Sequence, residues 1–181
     1  MSQSRASALG KFAVIWGLGG FLAMLAWAIA RLIPIATDSA SVSWTVWQHA
    51  TFYINVFFMA WVEGYRGFQL KFSPRFAARA AGIAGHATPA QALLAPLLFM
   101  SFFHAPPRRI LGAILLTLGI IVIVIVYRQL PQPWRGILDA GVVVGLSWGF
   151  VATFLLTLRA LRYGTTVDPE FYPLAAAAAT G

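Results

Sequence analysis

The sequence predicts an all-α membrane protein with four transmembrane helices and one re-entrant or interfacial helical segment. Three observations carry that expectation. Of 181 residues, 60% are hydrophobic and 10% are charged, against about 25% charged in ordinary soluble domains. The mean hydropathy of +0.77 leaves too few polar groups to cover a surface in water. Four apolar runs, about residues 12–30, 44–62, 110–127 and 136–158, are long enough as helices to cross a hydrocarbon core of roughly 30 Å.

The net charge of +8 comes from 13 Lys and Arg against 5 Asp and Glu. These basic residues flank the apolar runs, which is the positive-inside pattern of a membrane protein. Nucleic acid is therefore not expected as a partner. The chain has no cysteine, which excludes disulfides, thiolate metal sites and a cysteine nucleophile.

Phe12 to Ala30 is free of charged side chains, with Gly19, Ala23, Ala26 and Ala30 on one helical face. Ala28-Ile29-Ala30 resembles a signal-peptide cleavage site, but the run exceeds the usual 7 to 15 residues of a signal core. A retained anchor is the expectation. Arg31 to Ser43 reads as a short loop. In the second run Trp44, Gln48, Thr51, Asn55 and Met59 share a face, and such a stripe should turn toward helices or a cavity.

Residues 63–109 form the basic segment. Arg66, Lys71, Arg75 and Arg79 alternate there with Phe68, Phe72 and Phe76. That pattern suits either a surface helix, with rings in the acyl boundary and cations at anionic lipid headgroups, or a plain basic loop. Ser73-Pro74 reads as a helix start and Gly82 as a stop. Glu63 and Arg66 are spaced as a surface ion pair. Thr88-Pro89-Ala90-Gln91 is a capping box. The apolar run after it has Pro96 at its middle, so a kink or break is expected there. Ile110 to Tyr127 reads as a lipid-facing helix, and Arg128 to Arg135 as a tight loop. In the last run Gly141, Gly145 and Gly149 recur every four residues, a helix-packing pattern. Residues 1–162 thus make one transmembrane domain and 163–181 a flexible tail.

Charge chooses the topology. With four crossings, Arg5, Lys11, Arg66, Lys71, Arg75, Arg79, Arg108, Arg109, Arg159 and Arg162 share one side. Arg31, Arg128 and Arg135 take the other, a split of 10 to 3. If residues 89–105 also cross, five helices result and the split becomes 8 to 5. The first arrangement is preferred, with both termini and the basic segment in the cytoplasm.

No catalytic set is expected. Gly145-Leu146-Ser147-Trp148-Gly149 matches G-x-S-x-G, but it lies inside a spanning run without the strand-to-helix turn that would expose its serine. His86 and His104 flank the proline-broken segment, yet three histidines without cysteine make a poor metal set, and neither metal nor cofactor is expected. Asp139 is the informative acid, because an ionisable group within a span is a functional candidate. It lies about 5 Å into its run and His49 about 7 Å into the second run. Arg31, Gln48, His49 and Asp139 could thus form one intramembrane polar cluster. The competing reading pairs Asp139 with Arg135, one turn back.

Glu63-Gly64-Tyr65-Arg66-Gly67, the stretch from Leu94-Ala95-Pro96-Leu97 to His104-Ala105, and Leu130-Pro131-Gln132-Pro133-Trp134-Arg135-Gly136 running into Asp139-Ala140-Gly141 together resemble a group of uncharacterised bacterial inner-membrane proteins. The resemblance covers roughly residues 44–160. It implies a bacterial plasma membrane and assigns no activity and no site residue. The expected function is a non-enzymatic membrane subunit or assembly factor, bound to itself or to a partner membrane protein. The alternative is a small ion-coupled transporter or channel using Asp139 and the polar second helix.

Overall fold

The computed structural model describes residues 7–102 and 107–169. These residues are helical, with no strand among them: α1 (Ala8–Asp38), a 3-10 turn (Ser39–Ser41), α2 (Val46–Met59), a π-helical stretch π1 (Ala60–Phe72), α3 (Ser73–Ile83), α4 (Pro89–Leu93), α5 (Ala95–Phe99), α6 (Pro107–Tyr127) and α7 (Trp134–Tyr163). Three helical stretches are long and apolar enough to cross a membrane: Ala8–Ser41, Ile110–Tyr127 and Trp134–Tyr163. Arg5, His104 and the expected flexible tail from residue 170 onward lie outside the described residues.

Two helices run further than the apolar pattern suggests. α1 continues past Arg31 and through Pro34 to Asp38. Proline removes one backbone donor, but in so apolar a helix the remaining backbone groups have no better partner than one another. Thr37 Oγ1 donates to the carbonyls of Ile33 (3.1 Å) and Pro34 (2.9 Å). α2 does not end at Val62. Helix continues without interruption from Val46 through π1 and α3 to Ile83, so nearly the first half of the basic segment is a continuation of the second helix. Ser73 accordingly is not an N-cap. Pro74 lacks a donor and its ring crowds the carbonyl one α-turn back, and the helix before it takes the wide π form.

The Thr88 capping box forms: Gln91 N donates to Thr88 Oγ1 (3.3 Å) and Thr88 N to Gln91 Oε1 (3.0 Å). The run after it breaks at Leu94, two residues before Pro96, into the five-residue helices α4 and α5. A second capping box starts α2 at Thr45.

The chain divides into two compact units. One comprises Met1–Leu22, Ser73–Thr117 and Thr153–Gly181, the other Ala23–Phe72 and Leu118–Ala152. In the first unit, α3 and α5 pack on the beginning of α1. Phe76 meets Phe21 at 5.0 Å and Phe99 at 5.2 Å between ring centroids, and all three rings are buried. Gly17 and Gly20 of α1 admit Phe99 and Pro96, and Trp16 Nε1 donates to the Leu93 carbonyl at 3.1 Å. Ser73 and Thr153 share a buried hydroxyl–hydroxyl hydrogen bond of 2.8 Å.

Arg79 belongs to this core. It is 2% exposed and donates to the Leu98 carbonyl at 2.8 Å. This corrects its expected place among the headgroup-binding cations. α3 is alanine-rich and buries Phe76, Ala77, Ala78, Ala80 and Ile83, so Arg79 is enclosed with them and its guanidinium finds backbone oxygen instead of phosphate. Arg66 and Lys71 are exposed, and Arg75 is half-buried.

Candidate functional site: a glycine-lined helix seam

The second unit is built around the seam between α2–π1 and the first part of α7. Gly141 lies against Asn55 and Met59, Gly145 against Glu63, and Gly149 against Phe68. Residue numbers rise together on both sides, so the two helices run parallel. One turn per glycine makes a trough along α7, and each step of the trough receives a side chain of the partner helix. The spacing on the partner is four from Asn55 to Met59, four from Met59 to Glu63, and five from Glu63 to Phe68. The step of five falls within π1, whose i→i+5 bonding lengthens the turn by about one residue. π1 also reverses the roles once: Gly64 is the small residue there, facing the Trp148 ring of α7.

Polar groups enter this seam at three levels. Asn55 Nδ2 donates to the carbonyls of Ile137 (3.0 Å) and Leu138 (3.2 Å). Trp148 Nε1 donates to Gln69 Oε1 at 2.7 Å. Between them lies Glu63. Its Oε2 is fully enclosed and accepts no hydrogen bond among the described residues. A Cβ placed on Gly145 would lie 2.6 Å from that oxygen, so a larger residue would push the carboxyl aside. Glu63 makes no ion pair with Arg66, which is exposed. The sequence offered two signals for this site, the glycine repeat and the continuation of the stripe from Asn55 and Met59 by one more turn. Reading a helix end at Val62 concealed the second.

The four residues of the expected polar cluster are not assembled. Arg31 stacks over the Trp27 ring, 5.2 Å from its centroid. Gln48 is a cap residue, its Oε1 accepting from Thr45 N at 2.8 Å. His49 bonds the Thr45 carbonyl through Nδ1 at 3.0 Å and lies edge-on to the Trp44 ring, 5.2 Å between centroids. Asp139, 5% exposed, pairs with Arg135 at 3.8 Å, one turn back on α7. Register explains the separation: Asn55 is level with Ile137 and Leu138, and His49 lies six residues earlier, about 9 Å back along α2. Ser147 of the G-x-S-x-G match sits within uninterrupted α7, beside an apolar groove with Ala30, Ile33 and Phe150. No group of three or more metal-ligating side chains occurs among the described residues.

No family model, curated protein or solved structure matches the chain.

Proposed function

We propose that the protein is a non-enzymatic subunit or assembly factor of a bacterial inner membrane, packing through α6 against a second copy or a partner membrane protein. The observation that carries this reading is the exposure of α6. Its Ile110–Tyr127 stretch is the most apolar of the candidate spans, with mean hydropathy 3.0, and none of its described residues is buried. The corresponding windows of Ala8–Ser41 and Trp134–Tyr163 bury 28% and 33% of their residues. A helix apolar all round is at home against lipid or another helix, and α6 is free for both.

Four crossings, with both termini in the cytoplasm, go with this reading. Within the second unit α2–π1 runs parallel to α7. α1 runs antiparallel to it, Ile35 and Ser39 lying at Gly136 and Ala30 and Ile33 near Ser147 and Phe150. These are the directions of alternating crossings. α4 and α5, each about 7.5 Å long, are too short to cross, which favours the re-entrant or interfacial reading of 89–105. Exposed Arg66 and Lys71 remain available to anionic headgroups.

Single-cysteine variants at positions 38, 71, 132 and 162 test the topology on a cysteine-free background. An impermeant thiol reagent should label 38 and 132 in intact cells, and 71 and 162 only after permeabilisation. Labelling of 38 and 162 from outside, with 71 and 132 protected, would mean that residues 89–105 cross. Photo-crosslinkers at Ile114 and Ile121 should then yield one discrete protein adduct, and adducts to lipid alone would remove the subunit reading.

A small ion-coupled transporter or channel is the second reading. The enclosed Oε2 of Glu63 favours it more than Asp139 does, since Asp139 is held by Arg135.

A further inference from the structure

Two enclosed side-chain oxygens lack a hydrogen-bond partner among the described residues: Thr157 Oγ1 and Glu63 Oε2. The first is a neutral hydroxyl on a helix. The second belongs to an acid, and it faces Gly145, the twelfth residue of the 30-residue helix α7. That is about 17 Å from the helix start, inside the apolar run of residues 136–158. We infer that Glu63 is a proton-binding carboxyl inside the membrane, the point at which the helix seam takes up and gives up one proton.

The surroundings define the ligand. An ionised carboxylate away from water costs several kcal/mol unless cations or donors compensate it. The donors of the seam are committed elsewhere, Asn55 to the Ile137 and Leu138 carbonyls and Trp148 Nε1 to Gln69. The other side chains that meet the glycine trough, Met59 and Phe68, are apolar. A bound metal cation asks for several oxygens at once. A proton asks for one, and one enclosed oxygen is what the site presents. Gly145 preserves the space for it, and π-helical turns such as π1 are rare and recur at functional sites.

Among the described residues, the charged and titratable groups around Glu63 leave it without a fixed counter-ion. On its own helix Arg66 is exposed and unpaired with it. On α7 Asp139 is occupied by Arg135. On α6 Tyr127 is within electrostatic reach, and its phenol offers no positive charge. On α1 Arg31 stacks on Trp27. Proton binding at Glu63 is a property of the seam alone and does not depend on α6 having a partner.

Dicyclohexylcarbodiimide, a hydrophobic reagent to whose central carbon a protonated carboxyl adds as its proton passes to nitrogen, tests it on the full-length protein in native membranes, with adducts mapped by mass spectrometry. The adduct should map to Glu63. Its yield should fall as pH is raised, approaching about tenfold per unit on the alkaline side. Sodium ions at fixed pH should leave the yield unchanged. A water-soluble carbodiimide with an amine should leave Glu63 unmodified. Glu63→Gln should abolish the adduct and Asp139→Asn should retain it. Peptide mapping of the unmutated chain gives the main result, so the test does not hang on the folding of a variant. Absence of the Glu63 adduct, equal modification by the water-soluble reagent, or protection by sodium at constant pH would each overturn the inference. Protection by sodium would make the ligand a metal cation.

Discussion

α6 and α7 are both long apolar helices that carry glycine, and they use it differently. In α7 the glycines at 141, 145 and 149 stand one turn apart, and a side chain of α2 or π1 fills the space over each. In α6 Gly112 and Gly119 stand two turns apart, with nothing among the described residues within 4 Å of where a Cβ would be. Spacing therefore matters more than glycine content. One glycine per turn cuts a continuous trough that another helix can enter. One per two turns leaves isolated notches between bulky residues, as in the β-branched row from Ile120 to Val126. The first pattern fixes a fold from within the chain, and the second leaves a helix for its surroundings.

The largest expected effect lies on the α7 side of that contrast. Gly145→Leu would place a branched side chain where Glu63 Oε2 sits, 2.6 Å from the Cβ position. The flexible carboxyl can swing aside, but the branches of the leucine then meet Glu63 Cβ, 3.2 Å from the same position, and press the seam apart. Overpacking of this kind costs about 1–3 kcal/mol and occasionally more. Unfolding midpoint and recovery of monodisperse protein in mild detergent should both drop. A variant as stable as the parent would remove the seam as the organising contact of the second unit.

How much of this was readable from residues alone depended on whether the signal was local. The Thr88 capping box and the break ahead of Pro96 are properties of four or five consecutive residues, and both were legible. The all-helical class followed from composition. The end of the second helix was not legible, because Glu63, Arg66 and Lys71 mark a membrane boundary in any pattern based on charge. In the structure the helix continues and widens, and widening changes which residues share a face. Three residues apart on an α-helix is about 60° around the axis. In a π turn, closed by i→i+5 bonds, the angle between such residues grows. Glu63 thereby turns inward while Arg66 stays out, and the surface pair suggested by their spacing does not form. Arg79 misled for a related reason: alternation with phenylalanine looks like a membrane surface, whereas Phe76 and Arg79 enter the same core. The spacing of His49 and Asp139 within their own runs says nothing of register, which the Asn55 contacts with Ile137 and Leu138 set instead.

Asn55 offers a test of intermediate size. It is the side chain whose hydrogen bonds fix α2 against the start of α7, at 3.0 and 3.2 Å. The carbonyls it reaches lie within α7, so Asn55→Leu does not leave them bare. The expected loss is therefore about 0.6–1.7 kcal/mol, the range of interhelical hydrogen bonds in membranes. The same unfolding measurement should place it between Gly145→Leu and the parent. A loss as large as that of Gly145→Leu would show that polar contact, not the fit at the glycines, holds the seam.

The smallest effect belongs to α6, and it separates the two uses of glycine most sharply. Gly119→Leu adds a side chain into open space, and Ile123→Leu nearly conserves volume at a position 50% exposed. Ile123→Leu should change stability by no more than about 0.5 kcal/mol, the usual bound for substitutions away from packed features, and Gly119→Leu should not lower it, since leucine has the higher helix propensity. Association is a different matter. A partner helix lying along α6 would meet an isobutyl group at position 119 where it had met backbone. The crosslinking yield from position 121 should therefore fall in Gly119→Leu and hold in Ile123→Leu. Unchanged stability with unchanged crosslinking in both would assign α6 to lipid. A stability loss in Gly119→Leu comparable with Gly145→Leu would mean that α6 packs within the chain after all, and the contrast between the two helices would be lost.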